Sequence, residues 1–218
     1  MFIEDVYLRF KEKVNKNFTN DNFSADKARF VEIYNESQNK YVEWVLEKRN
    51  EDDIRDIQKL LVHDKDLGIG KKRLNYYSYS FPDDFFSWST IRAFADKGRC
   101  KNQSLYLFEI KAENRDEMLH DEHNKPSFKY RETFYTIGED EVKIYADDFK
   151  ISKSYLTYYR YPKRIAMKGD RNKSVNINPE FDDKVVDRIL TICVKDFSTN
   201  NENLHRYQVD KDKTLSKP

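Results

Sequence analysis

Four short stretches bring reactive side chains close together. "HDEH", His120 to His123, offers two imidazoles and two carboxylates, the donor types that hold zinc. An i, i+3 pair of histidines lacks the further organised ligands that a zinc site needs, so a polar turn after a short helix is the expectation. "PDDFF" (82–86) and "YADDF" (145–149) each carry paired carboxylates, which could share a proton or hold a divalent ion. Asp pairs beside Pro or Ala are also ordinary turn chemistry. "GIGKK", Gly68 to Lys72, has glycines before lysine, but the spacing of a phosphate-binding loop and its strand-to-helix step are missing, so it reads as a helix-stop loop. With only four histidines, no Ser-His-Asp or Cys-His set assembles without arbitrary choices. The sequence therefore assigns no catalytic residue, no cofactor and no metal, and predicts that the protein is not an enzyme.

The stretch "LTYYRYPKR", 156–164, is of a different kind. Tyrosines give stacking surfaces and Arg160, Lys163 and Arg164 give phosphate contacts, so nucleic acid or a protein neighbour could meet it. The same residues also suit a half-buried strand. Alternation puts Leu156, Tyr158 and Arg160 on one face and Thr157, Tyr159 and Tyr161 on the other, and Pro162 ends the ladder because it has no N–H to donate.

Composition limits the alternatives. The 218 residues are 36% charged and carry a formal net charge of +1, which argues against holding DNA by bulk electrostatics. An aromatic share of 15% is foreign to disordered chains. Cys100 and Cys193 lie in different predicted elements without CxxC spacing, which predicts a buried thiol at Cys193 rather than a disulfide or zinc site. MFIEDVYLRF interrupts its apolar residues with acids and does not read as a signal peptide. No apolar run approaches the roughly 20 residues of a membrane span.

These stretches must be positioned by regular elements. Phe2, Val6, Phe10 and Val14, with Ile3, predict a first helix, and Ser24 is placed to cap a long second one reaching about Lys48. A third begins at Asp52 or Asp53, with Ile54, Ile57, Leu60 and Leu61 as its inward face. From Arg73 the pattern turns to Tyr, Phe, Thr and Ile broken by turn residues, predicting strands near 73–80, 85–95, 104–112, 132–137, 141–145 and 154–161 and a short helix near 114–120. Asn178 and Pro179 predict the start of a fourth bundle helix, whose buried stripe is Val185, Val186, Ile189, Leu190, Cys193 and Phe197. The expected fold is α+β: a four-helix bundle of three N-terminal helices and one C-terminal helix, with an inserted β-rich domain. The expected limits are 1–71 for helices one to three, 72–165 for the β-domain, 166–200 for a loop and the fourth helix, and 201–218 for an extended tail. On that tail Leu204, Tyr207, Val209 and Leu215 are apolar points that either dock on a partner or stay free.

"YLTYYRYPKRI" followed by "INPEFDDKVVDRILTICVKDF" resembles the end of head-to-tail connector proteins of short-tailed phages, especially the ring or adaptor proteins of crAss-like gut phages. "FKEKVNKNFTNDNFSADKARFVEIYNESQNKYVEWVL" is similar to the adaptor opening of helix, Asn-rich turn, cap and long helix. "YSYSFPDDFFSW" and "NKPSFKYRETFYTI" are similar to a strand entry and hairpin approach of the same proteins. The resemblance covers most of residues 2–198. It implies a virion structural protein in the neck, assembled in the host cytoplasm as a closed ring of roughly twelve copies between portal and adjoining tail rings. Packaged DNA would pass through its lumen without specific binding, and no membrane would be involved. The alternative is a nucleic-acid-binding protein using strand 154–164.

Overall fold

Ile3, Val6, Phe10 and Val14 are all buried, and in the computed structural model, which describes residues 1–17, 26–169 and 175–215, they form the inner stripe of helix α1, Ile3–Asn17. Phe2 lies outside that stripe, 68% exposed. Helix α2, Lys27–Lys48, is capped by Asp26, which accepts from the Arg29 N–H at 2.7 Å; the expected cap, Ser24, lies outside the described residues. Helix α3, Glu51–Ile57, starts at its cap Asn50. The chain divides into two compact units, Met1–Lys59 with Pro162–Pro218, and Leu60–Tyr161.

The helical unit is not a four-helix bundle. α3 has only 7 residues; the chain then tightens into a 3-10 turn, Gln58–Leu60, and Leu61 opens strand β1, Leu61–Asp66. Ile54, Ile57, Leu60 and Leu61 suggest a longer helix by their spacing, but Leu60 is buried in the 3-10 turn and Leu61, only half-buried, pairs with a distant strand. The fourth expected helix also begins later. Helix α5 runs Asp183–Leu215, and Asn178 serves the other end of the chain, where its Oδ1 accepts from the Ile3 N–H at 3.0 Å. Nor does α5 give way to an extended tail after 200. No Gly or Pro occurs between 183 and 215, so each added residue extends an existing hydrogen-bond ladder at little cost.

Within this unit α5 packs on α1 and α2. Phe10 meets Phe30 at 5.0 Å and Phe197 edge-on at 5.4 Å, and Cys193 is buried, which pushes its thiol up to about 12. Arg188 fastens short α3 to α5: its guanidinium donates to Asp53 at 2.8 Å, Asp56 at 2.9 Å and the Tyr41 hydroxyl at 3.2 Å.

The second unit is an eight-stranded sheet in the order β1-β8-β4-β5-β6-β7-β3-β2. The remaining strands are β2 (Lys71–Lys72), β3 (Tyr76–Ser80), β4 (Phe85–Lys97), β5 (Cys100–Glu109), β6 (Glu132–Ile137), β7 (Glu141–Tyr145) and β8 (Lys150–Arg160). Neighbours are antiparallel except β5 and β6, whose crossover carries α4, Arg115–His120. The β6–β7 hairpin stands where the sequence predicts it, whereas β1 answers no expectation.

Its two edge strands are consecutive in the chain, joined by residues 67–70 alone. Eight flat strands at about 4.8 Å spacing would separate the edges by roughly 34 Å, while five Cα steps reach at most about 19 Å. The sheet must therefore curl into a half-barrel. Register shifts in the β4–β8 pairing, at Phe85/Ser87, Trp88/Thr90 and Phe94/Ala95, and one in β1 at Val62/Lys65, supply the bends, since an extra residue on one strand kinks it and raises its twist.

The concave face is filled by Tyr77, Tyr79, Ile91, Leu105, Tyr135, Ile144, Leu156 and Tyr158 among others. Gly68 turns the link with φ +71, and Gly70 lets it lie on the core: a Cβ there would stand 2.5 Å from the Tyr79 ring. Tyr79 is only 3% exposed, so that ring has little room to yield. Gly70→Ala should cost roughly 1–3 kcal/mol by overpacking, and urea denaturation of the full chain reads it; unchanged stability would mean that the ring moves freely.

Burial, ahead of neighbouring acids, also pushes the hydroxyls of Tyr135 and Tyr158 up to about 12. In the unfolded chain a tyrosine titrates near roughly 10. Above that pH the unfolded state has lost protons that the folded state keeps, so stability, full below about 10, should fall as pH rises toward about 12. Thermal melting against pH, with tyrosinate absorbance followed in parallel, checks this; a flat profile across that window would contradict it.

Candidate interaction surface

Each reactive stretch finds a local partner. In "HDEH", Asp121 accepts from the His123 N–H at 2.8 Å and from Asn124, while the His120 ring meets the Asp116 carbonyl at 2.7 Å. The His123 N–H first, then Asn124, holds the Asp121 carboxyl below its ordinary range. This is an Asx turn. Among the described residues no group of three His, Cys, Asp or Glu side chains could hold a metal ion. Asp148 of "YADDF" pairs with Lys97 across the sheet. Asp84 of "PDDFF" accepts from the Tyr158 hydroxyl at 2.7 Å, and its carbonyl accepts from the Tyr161 N–H at 2.8 Å. "GIGKK" links two strands, not a strand to a helix.

β8 shows what "LTYYRYPKR" does. Leu156 and Tyr158 point into the core, and Phe85 sits 5.8 Å from the Tyr158 ring and stacks on Phe81 at 4.0 Å. Arg160 closes the strand and donates to the Tyr161 carbonyl at 3.0 Å. Lys163 and Arg164, both exposed, belong to the helical unit, so the three cations do not form one sheet face. Asn35 and Gln38 of α2 secure this return segment. Asn35 accepts from the Ile165 N–H at 2.9 Å and donates to its carbonyl at 3.3 Å; Gln38 donates to the Lys163 carbonyl at 3.2 Å. Asn35 is 4% exposed, and it acts as a strand neighbour would, answering both backbone polar groups of one residue.

Exposed apolar side chains mark other places. On the convex face of the sheet an aromatic row runs Tyr76, Tyr145, Phe134, Phe108 and Tyr106, with successive ring centroids 5.7, 4.7, 6.0 and 6.5 Å apart. It ends in open solvent at Tyr106, 67% exposed. The β1–β2 link and the turn after β2 leave Ile69 at 101% and Leu74 at 91% exposed. Between them stand Lys71, Lys72 and Arg73, all exposed. On the helical unit, Trp44 is 43% exposed beside Tyr41. Along the expected docking tail, Leu204, Tyr207, Val209 and Leu215 lie on the helical backbone of α5, and their side chains fall outside the described residues.

No family model and no curated protein matches this chain. Among the described residues no helix is long and apolar enough to cross a membrane.

Sequence reasoning missed Asn35, Gln38 and the Arg188 clasp. Asn35 had a weak signal, a polar residue where the helical period asks for an apolar one. Arg188 had a weaker one, the i, i+3 carboxylates Asp53 and Asp56 on a short helix. Asn35→Leu removes the partner of two buried backbone groups at once and should cost roughly 2–4 kcal/mol, read by chemical denaturation; a loss under about 1 kcal/mol would show that other groups serve the Ile165 N–H and carbonyl.

Proposed function

We propose that the chain is a structural subunit of a phage head-to-tail connector, assembling as a closed ring that bridges portal and tail around the DNA conduit. Its work is assembly, not chemistry. The observation that carries this reading is the pairing of unemployed contact surface with employed reactive groups. Ile69 and Leu74 stand almost wholly in solvent beside three consecutive cations, whereas Asp84 is engaged by the Tyr158 hydroxyl, Asp121 by its own turn and Asp148 by the Lys97 ammonium. Exposed aliphatics bordered by charge are what a protein interface uses.

The order of segments resembling ring and adaptor proteins supports the same reading. So does a net charge of +1, because a strongly basic lumen would hold the genome through its phosphates rather than release it. A nucleic-acid-binding role for strand 154–164 has less support, since Leu156 and Tyr158 lie in the core and the three cations are divided between two units.

Quantitative mass spectrometry of DNA-filled particles of the encoding phage tests the proposal. A copy number near that of the portal protein is expected. Absence of the chain from such particles would overturn it.

A further inference from the structure

Two exposed surfaces of this chain, one on each unit, are complementary in charge and in apolar content. The first is the β1–β2 link with the turn after β2. It carries three consecutive cations, Lys71, Lys72 and Arg73, no acid between Leu67 and Asn75, and the aliphatics Ile69 and Leu74 on either side. The second is the outer face of α2. Glu32, Glu36, Glu43 and Glu47 follow one another at helical spacing, and at about 100° per residue they fall within roughly 60° of arc. Glu36, Glu43 and Glu47 are exposed, and Trp44 borders them, 43% exposed. The one cation interrupting the stripe, Lys40, is engaged by Asp196 of α5 at 2.7 Å.

We infer that the basic link of one copy docks on the acidic α2 face of a second copy, with Ile69 and Leu74 packing around Trp44. This deepens the ring reading and rests on it. The contact joins two different patches, so after pairing one copy still offers a free α2 face and the other a free link, the condition for a chain of contacts to close into a ring. A DNA backbone would satisfy the three cations but offers nothing to two fully exposed aliphatics, whereas a glutamate face with a half-exposed tryptophan at its margin answers both. The cations and carboxylates would steer encounter, and the tryptophan would anchor it.

Charge reversal in trans tests this. K71E/K72E/R73E makes both patches of a copy acidic; E36K/E43K/E47K makes both basic. Sedimentation of the wild-type chain should show self-association that weakens with added salt as charges are screened. Each variant alone should associate at least about tenfold more weakly. An equimolar mixture should associate again, because every link then meets an α2 face of opposite sign. Circular dichroism checks that both variants keep their helices and sheet; should either lose them, the single reversals Lys72→Glu and Glu43→Lys give the same paired test.

The inference is overturned if wild-type chain stays monomeric up to about 1 mM, if either variant alone associates as the wild type does, or if mixing restores nothing. A link variant that fails in the mixture and also loses affinity for random-sequence duplex DNA would make the link a nucleic-acid contact instead. These outcomes are separable from failure of the ring reading. A chain found in particles at portal-like copy number, yet indifferent to the reversals, would keep the ring and discard this interface.

Discussion

Four residues join the two edges of an eight-stranded sheet, and that short reach governs the rest of the unit. A chain that leaves one edge at Asp66 must be pairing on the other at Lys71, so the strands between cannot lie flat. Curling turns one face into a concave interior whose tyrosines lose water, and their hydroxyls resist ionisation in consequence. The bulges in β4 and β8 and the bare α-carbon of Gly70 are the local means by which the backbone meets this condition. Neither edge is left as a long open ladder. β1 is bent by its register shift and carries His63, Asp64, Lys65 and Asp66, and β2 has only two residues; charge, bending and brevity all discourage indiscriminate strand addition.

The same curl divides the aromatic residues by task. Tyr77, Tyr79, Tyr135 and Tyr158 fill the interior, while Tyr76, Tyr145, Phe134, Phe108 and Tyr106 form a row on the other side that is buried at Tyr145 and Phe134 and opens to solvent at Tyr106. A strand such as β8 therefore cannot offer both faces to a ligand. What remains available is the rim, where the edge-joining link carries its cations, and the convex face beyond Tyr106.

Much of the sheet was legible in the sequence because its signals are local. Turn residues at Pro82-Asp83-Asp84, Gly98, Gly138 and Asp147-Asp148 separate β-branched and aromatic runs, and β4, β6, β7 and β8 lie close to where those runs predict them. Long helices showed themselves by period. The errors came where the deciding partner is distant. Leu61 continues a helical period from Ile54 and Ile57, but it pairs with Tyr159, and nothing near residue 61 announces that. Asn178 has the right neighbours for a cap and is instead taken up by Ile3, 175 positions away. The end of α5 is hidden for the opposite reason: a polar, aperiodic segment suggests an extended tail, although no Gly or Pro interrupts it as far as Leu215. For the candidate surface, residue types alone drew attention to Arg160, Lys163 and Arg164. Only burial and topology separate those cations from Lys71, Lys72 and Arg73, which looked in the sequence like a helix stop.

The pairing of β1 with β8 also bears on how the chain finds its fold. Leu61 and Tyr159 face each other at the entrance and exit of the sheet unit, so once that pair forms, the hundred or so residues between them no longer separate α3 from the return segment as a floppy loop. Closing a loop of about 100 residues costs on the order of 4 kcal/mol in chain entropy. A folded sheet has already met that cost, which leaves α5 to search for α1 and α2 as though it followed them after a short connection. During synthesis the sheet has all its strands once Arg160 has emerged, whereas the first two helices must wait for a partner encoded after it. The insertion is thus a tether as well as a surface: it converts the most remote contacts in the helical unit into near neighbours.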